Sequence, residues 1–512
     1  MSSLRDITTW QPLLRLLHAA HADTLSASGG HVAGQIGPRG WSVPLPYRPP
    51  QPGRASLVSD NQDEFDAVGL ITEALVKDGS DGVSFVVEAS STPGGLRLHL
   101  IEPSSSVEPG VATAHPGTLL LADGALPEPV RRLPEPVPGA APAASADVDL
   151  LRRTLRQRLQ NAVGASEEEL AAAEARLGVT LPPELRALYR VVRGRYEDWD
   201  DLRDPYDTIG CELFPLSEVY IADAASREVL WQFGAMDAVE TGPEHAVQQL
   251  VGSPGWIVFG DNGGGDRIAV DLTPGPDGHL GQVIIIGHEG NIGAGLVADS
   301  LTDMVVHGHF DGRPVPKVER PPLVAYVNRA SLPSIEAAAH PGLEVLSIGV
   351  WEKEPLSLAP VFDLPRLRTL SAYPGTLADP CEITRLTHLE YLELPPAEWR
   401  VLLDAGAVPT GLLAAGIDAH RQRDNPLHMI ALANEILTLY GRPPITGITV
   451  LECAASSGAR PVRDGPGPTG SRRRLAGPGP HLRRSRRAVR SGRRPPRWSG
   501  WATGRPGSRR PG

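Results

Sequence analysis

Hydrophobic positions in this 512-residue chain change period several times along its length. In "PLLRLLHAAHA" (12–22), Leu13, Leu14 and Leu17 fall at helical spacing, so an amphipathic helix is expected with those leucines buried. From Asp63 to Lys77, Phe65, Val68, Ile71 and Leu75 recur on one side of a second helix. The stretch "GVSFVVEASSTPGGLRLHLIE" then alternates. Val83, Phe85 and Val87 face one way, and Leu96, Leu98 and Leu100 answer them across a Thr-Pro-Gly-Gly turn, the mark of a hairpin with one buried face. Residues 1–130 therefore read as a small α+β domain. The prolines of "RRLPEPVPGAAPAASA" (131–146) prevent a continuous helix or central strand, which makes this segment a Pro/Ala linker.

Residues 147–315 carry the clearest local punctuation. In "GASEEELAAAEARLGVTLPPELRALYRVVRG", Ser166 and Glu169 form a capping box, and Leu170, Ala173 and Leu177 line a stripe that Gly178 ends. Pro182 and Pro183 open the next helix, in which Leu185, Leu188, Tyr189 and Val192 share a face and Gly194 marks the end. Three strands are expected at "WIVFG", "RIAVDL" and "QVIIIG", followed by a closing helix at "VADSLTDMVV".

Residues 320–450 repeat. "GLEVLSIGV", "RLRTLSAY" and "HLEYLEL" align at Leu343/Leu346, Leu367/Leu370 and Leu389/Leu392, with offsets of 24 and 22 residues, so a short leucine-rich-repeat-like region is expected. Residues 455–512 lose all periodicity. They hold sixteen Arg and one acid, Asp464, for a net of +15, which leaves −26 on residues 1–454 of a chain whose total is −11. Such a tail is expected to be disordered. It reads either as an Arg-rich arm for nucleic acid or an acidic partner, or as the out-of-frame translation of GC-rich DNA, and the second reading is favoured.

Composition adds little to this picture. Lysine occurs only at Lys77, Lys317 and Lys353, so arginine supplies nearly all positive charge, as GC-rich coding does. Cys211, Cys381 and Cys453 have no metal-ligand spacing and fit a reduced compartment. Arg15, His18 and His21 interrupt any signal-peptide core, and no apolar run reaches membrane-spanning length. A cytoplasmic protein without membrane contact is expected.

Two stretches invite a chemical reading. "GWIVFGDNGGGDRIAVDL" (255–272) spaces Gly260 and Gly265 as a phosphate loop does, but Asp266 stands where that loop needs lysine, and a strand follows instead of a helix. Asp261, Asn262, Asp266 and Asp271 supply oxygen ligands for calcium without the order of a calcium loop. A glycine-rich hairpin turn is the default, with Asp266 bracing it through backbone N–H groups. His307 and His309 are candidate ligands on one face or, more commonly, solvated side chains. The second stretch, "RYEDWDDLRDPYD", packs Glu197, Asp198, Asp200 and Asp201 among Tyr196 and Trp199. It suits docking to a basic protein surface, and equally a solvated loop whose rings cover the edge of the core.

Residues 162–305 resemble the SUKH superfamily in its SMI/KNR-type branch. The likeness rests on "ASEEELAAAEARLGVTLPPELRALYRVVRG", "LFPLSEV", "GWIVFGDNGGGDRIAVDL", "GQVIIIGHE" and "VADSLTDMV" in that order. The resemblance implies an α+β fold with a mixed sheet, no catalytic centre and no cofactor. It makes Trp256, Gly260, Gly265, Asp266 and Asp271 scaffold positions. It further implies protein binding: bacterial members are commonly immunity proteins that neutralise toxins, and fungal members regulate cell-wall synthesis. The expected function is thus a non-enzymatic binder, an immunity protein for a toxin with a basic surface. The alternatives are a multi-domain scaffold in signalling or envelope control and, behind it, a metal-dependent enzyme at the Asp/Gly-rich loop.

Overall fold

The computed structural model describes residues 3–38, 40–46, 61–91, 95–108, 110, 113–194, 205–310, 312–419 and 424–453. Residues 455–512, and so the tail expectation, lie outside them. In chain order the first part runs α1 (Ile7–Ser26), β1 (His31–Gly37), β2 (Gly40–Ser42), α2 (Gln62–Asp78), β3 (Val83–Ala89), β4 (Leu96–Ile101), β5 (Leu119–Leu120) and α3 (Glu128–Arg131). The middle part holds α4 (Val148–Arg158), α5 (Glu167–Leu177), α6 (Pro183–Tyr189), α7 (Pro205–Ile209), β6 (Glu212–Leu213), β7 (Tyr220–Ile221), α8 (Trp231–Gly234), β8 (Trp256–Asp261), β9 (Arg267–Asp271), β10 (Gln282–Ile286) and β11 (Gly295–Ala298). The last part is β12 (Val324–Val327), β13 (Val345–Ile348), β14 (Thr369–Ala372), β15 (Tyr391–Leu394), α9 (Pro396–Asp404), β16 (Ala414–Ile417), α10 (Pro426–Leu439) and β17 (Ile448–Cys453). The fold class is α+β.

The first sheet, in order β17-β4-β3-β1-β2, grows from the expected hairpin, with Phe85 opposite Leu100 and Val87 opposite Leu98. These side chains meet Trp10, Leu13 and Leu17 of α1 and Val68, Ile71 and Leu75 of α2, and Trp10 stands edge-on to Phe85 at 5.6 Å. Phe65, expected in this core, is 38% exposed and instead lies edge-on against Trp41 on the surface. The sheet has a second buried face. Val86 and Ile101 point away from the helices into the leucine core of the last part.

That last part is a parallel sheet, β12-β13-β14-β15-β16, with β5 antiparallel at its end. Leu346, Leu370 and Leu392 pair in register, and Leu343, Leu367 and Leu389 are buried with them. Two further rungs extend the stack. Ala325 pairs with Leu346 and Ala415 with Leu392, 21 residues before and 23 after the leucines they meet. Strands are exchanged between the first and last parts: β17 covers the whole of β4, and β5 pairs with β16. Each exchange covers a strand whose backbone donors and acceptors would otherwise be open to other chains.

The middle part has its own sheet, β11-β10-β9-β8-β6, with β7 also on β8. Helices α4, α5 and α6 cover one face through Leu151, Leu155, Leu170, Leu185 and Leu188. Ser166 and Glu169 close the capping box, and Gly178 ends α5 in the left-handed conformation. Helix α6 stops at Tyr189, earlier than expected, and the chain turns again at Gly194 (φ +76), where a Cβ would sit 2.8 Å from the Phe214 carbonyl oxygen. The expected closing helix is present in its second part only: β11 takes residues 297–298, and helical backbone runs over 301–307, π-helical at Asp303–His307. Val297 belongs to the strand, and the turn is fixed at its start by the Glu184 carboxylate, which accepts from the N–H groups of Leu301 and Thr302. The Pro/Ala segment forms neither helix nor strand beyond α3, but it is strapped down. Gln248 both donates to the Glu135 carbonyl (2.7 Å) and accepts from its N–H (2.8 Å), and Leu280 N–H donates to the Ala141 carbonyl.

One buried cluster ties the parts together. Trp231 of α8 stacks on Tyr391 of β15, with ring centroids 6.3 Å apart. Beside them Arg368 donates to the carbonyls of Ala235 (3.2 Å) and Asp237 (2.5 Å) and lies 3.3 Å from the buried Glu344 and 3.6 Å from Glu128. Removing one member of a buried ion cluster strands the others, at a typical cost of about 3–5 kcal/mol. Arg368→Ala should therefore lower unfolding stability by about 3 kcal/mol in denaturant titration, and a loss below about 1 kcal/mol would count against this role.

Candidate functional site

The glycine loop sits at the tip of the middle sheet, between two strands that fix its ends. All six residues of β8 are buried. The β8–β9 pairing shifts register between Val258 and Gly260, and a Cβ on Gly260 would lie 2.8 Å from both Cys211 Sγ and the Glu212 carbonyl oxygen. Close approach of that neighbouring backbone is what requires glycine there. Gly263 (φ +77) and Gly265 (φ +102) take up the left-handed backbone of the turn.

The turn is braced from inside. Asp261 accepts from the N–H of Gly263 (2.6 Å) and pairs with Arg267 through its other oxygen. Asn262 Oδ1 accepts from the N–H groups of Gly264 (2.8 Å) and Asp266 (3.1 Å). Asp266, expected to brace its own turn, reaches across to the loop after β10. Its Oδ1 accepts from the backbone N–H (3.0 Å) and ring Nδ1 (2.7 Å) of His288, and its Oδ2 accepts from the Asn262 amide (2.7 Å). Bracing by backbone N–H groups is thus Asp261 and Asn262 chemistry, and Asp266 joins two loops.

The protonation of this pair follows from the contacts. Burial alone would raise the Asp266 carboxyl, but the His288 N–H groups and the Asn262 amide outweigh it and hold the carboxyl below its ordinary 3.8. The same hydrogen bond raises the His288 imidazole above 6.5. The stabilisation from a raised histidine is complete below 6.5 and is lost as pH rises through the folded-state value. Arg227, which no sequence pattern singles out, fixes the His288 loop from behind. Its guanidinium donates to the carbonyls of Val251 (2.8 Å), Gly287 (3.2 Å), Gly290 and Gly293 (3.4 Å).

Asp271 lies at the far end of β9, opposite Trp256, and both are fully buried. It accepts from the Thr273 N–H (2.7 Å) and the Gln282 amide (2.9 Å). Burial is the dominant influence and pushes its carboxyl up to about 6 against those donors. The oxygen ligands considered for calcium therefore do not converge. Asp261, Asp266 and Asp271 have separate partners, and among the described residues no three His, Cys, Asp or Glu side chains form a metal-ligand group. His307 and His309 lie with ring centroids 5.8 Å apart, and His309 faces Asp303 at 3.7 Å. Tyr196, Glu197, Asp198, Trp199, Asp200 and Asp201 lie outside the described residues. Among the described residues no helix is long and apolar enough to cross a membrane.

The middle part is thus an α+β scaffold in which the glycine loop is a structural joint. Residues 164–307 match the SMI1 / KNR4 family (SUKH-1), and this portion of the chain is a domain of that family. Short stretches resemble curated fungal proteins. A glucan synthesis regulatory protein of Neurospora crassa is 37% identical over 67 residues, 13% of either chain. A KNR4/SMI1 homolog of Yarrowia lipolytica is 51% identical over 47 residues, 9% of this chain and 7% of that protein. The cell wall biosynthesis/cell cycle regulator smi1 of Schizosaccharomyces pombe is 47% identical over 47 residues, 9% of each. The chain therefore spans only a small part, 13% or less, of these relatives.

Two outcomes test the site. Asp266→Asn should bring the His288 pKa back toward 6.5 in an NMR titration, and an unchanged value would refute the pairing. For Asp271 the folded state holds the proton more tightly than the unfolded one, so stability falls as pH rises from 3.8 to about 6 and stays lowered above that. The full effect is roughly 3 kcal/mol. Asp271→Asn should flatten this fall when urea unfolding is compared at about pH 4 and about pH 7, and an unaltered slope would show that the carboxyl is not the source.

Proposed function

We propose that this protein is a regulator that acts by binding other proteins, with its SUKH-1 domain at the centre. The family match over residues 164–307 carries the reading. The printed names of its fungal relatives, a glucan synthesis regulator and a cell wall biosynthesis regulator, support control of envelope assembly as the process. The parallel stack of residues 324–417 acts as a leucine-rich-repeat-like second surface, held against the domain by Trp231 and Arg368. This is the scaffold reading of the chain, with the cytoplasm as the compartment proposed for it.

A second reading is supported by charge. Residues 1–454 carry a net −26, which suits a basic partner such as a toxin domain, so that the chain would serve as an immunity protein. In both readings the acidic and aromatic residues Tyr196, Glu197, Asp198, Trp199, Asp200 and Asp201 contact the partner, and nucleic acid enters only through the Arg-rich tail. The metal-enzyme alternative loses its basis once Asp261, Asp266 and Asp271 have separate partners.

Deleting the gene should change wall-polymer content or sensitivity to wall-synthesis inhibitors. Unchanged walls together with protection against a neighbouring secreted toxin would transfer support to immunity. The double variant Trp199→Ala, Asp200→Asn should weaken partner co-purification at least ten-fold while the protein stays folded, and full retention would remove this segment from the interface.

A further inference from the structure

Asn262 and Gly263 form the dipeptide in which a side-chain amide is most open to attack by the backbone that follows it, because glycine has no Cβ to shield its nitrogen. The pair lies on the β8–β9 loop, where Gly263 and Gly264 are exposed. A Cβ on Gly263 would meet nothing within 4 Å, so this peptide lies open to water. The Asn262 side chain is folded forward over it. A Cβ on Gly264 would sit 3.3 Å from Asn262 Oδ1 and 3.8 Å from its Cγ.

The groups that cyclisation requires already touch this side chain and its neighbour. The reaction joins Gly263 N to Asn262 Cγ, so the Gly263 N–H must give up its proton. That N–H donates to Asp261 Oδ1 at 2.6 Å. Arg267 holds the other Asp261 oxygen, which keeps Oδ1 aimed at the nitrogen. Negative charge develops on Asn262 Oδ1 as the bond forms. Two backbone N–H groups already donate to that oxygen, from Gly264 (2.8 Å) and Asp266 (3.1 Å), an arrangement that stabilises a tetrahedral oxyanion. Asp266 is a positioning residue. Its Oδ2 accepts from Asn262 Nδ2 (2.7 Å) and sets which way the amide faces, while the His288 ring holds its Oδ1 (2.7 Å).

We propose that Asn262–Gly263 is a self-modification site, at which the loop itself promotes loss of the Asn262 side-chain nitrogen as ammonia. The N–Cγ bond forms as the Gly263 proton passes to Asp261. The Cγ–Nδ2 bond then breaks, and that proton, carried from Asp261 by water, leaves with the nitrogen as ammonia. The five-membered imide takes up one water and opens to aspartate or isoaspartate. No oxidant, reductant or further reagent enters. Either product removes the amide donor that holds Asp266 and sets a new carboxylate beside it, and isoaspartate also adds a methylene to the backbone of the turn. The joint to the His288 loop is thereby altered irreversibly. This goes beyond the protein-binding reading and does not depend on it.

A network that merely clamped Asn262 would slow the same reaction, so the sign of the effect decides. The full chain is incubated at neutral pH beside a synthetic peptide of residues 257–268, and conversion of residue 262 to the acid is followed by peptide mass spectrometry. Conversion should run at least ten-fold faster in the folded chain than in the peptide. Its rate should hold as pH falls from about 8 to about 6, where the hydroxide-driven conversion of the peptide declines. Asp261→Asn, which keeps an oxygen for the Gly263 N–H and loses the base, should slow conversion about ten-fold, with an unfolding midpoint near that of the parent protein. The comparison with the peptide needs no variant and decides even where Asp261→Asn does not fold. Conversion no faster than in the peptide, a rate that falls with pH as the peptide's does, or a rate unchanged or raised in folded Asp261→Asn would overturn the proposal.

Discussion

The guanidinium of Arg368 is the constraint on which the architecture turns. It reaches Glu128 before the Pro/Ala segment, Glu344 in the parallel stack, and the carbonyls of Ala235 and Asp237 in the SUKH-1 portion. A charge this deep is tolerated only when its donors are all engaged. Each of the three parts contributes acceptors, so none can drift without leaving charge unpaired. The Trp231–Tyr391 stack adds apolar contact beside it and fixes the orientation of the joint. A chain that reads as separate modules with a linker thus behaves, in residues 1–455, as one contact unit.

The glycine loop obeys the same economy of polar groups on a smaller scale. Its carboxylates and amide serve one another, the loop backbone and the His288 loop. Arg227 performs the corresponding task with four backbone carbonyls and no carboxylate. Rigid presentation of two adjoining loops is what such a network provides.

Much of this was legible in the sequence. The hairpin at 83–101, the capping box at Ser166 and the strands β8, β9 and β10 of the SUKH-1 sheet each carry a period or a cap that depends on near neighbours. What escaped notice depends on distant ones. The outer rungs of the stack present Ala325 and Ala415 where a leucine would have announced the repeat. The helix expected at 297–306 starts only at 301, because Val297 and Ala298 belong to β11, where Ala298 pairs with Val283 of β10. Phe65 has helical spacing with its buried neighbours, yet Trp41 offered it a surface partner. Arg227 and Arg368 are two arginines among many, and only the folded chain distinguishes them.

The exchange of strands between the two ends of the chain also governs the order in which the protein can be made. β4 is synthesised early, and its partner β17 leaves the ribosome some 350 residues later, as the Arg97–Glu452 pair across them shows. During that interval the first sheet keeps a bare edge and an uncovered apolar face around Val86 and Ile101. Contacts of such long sequence separation slow folding, because loop closure must precede their reward. The N-terminal sheet is therefore completed only once β17 has been made, although its other four strands are translated first.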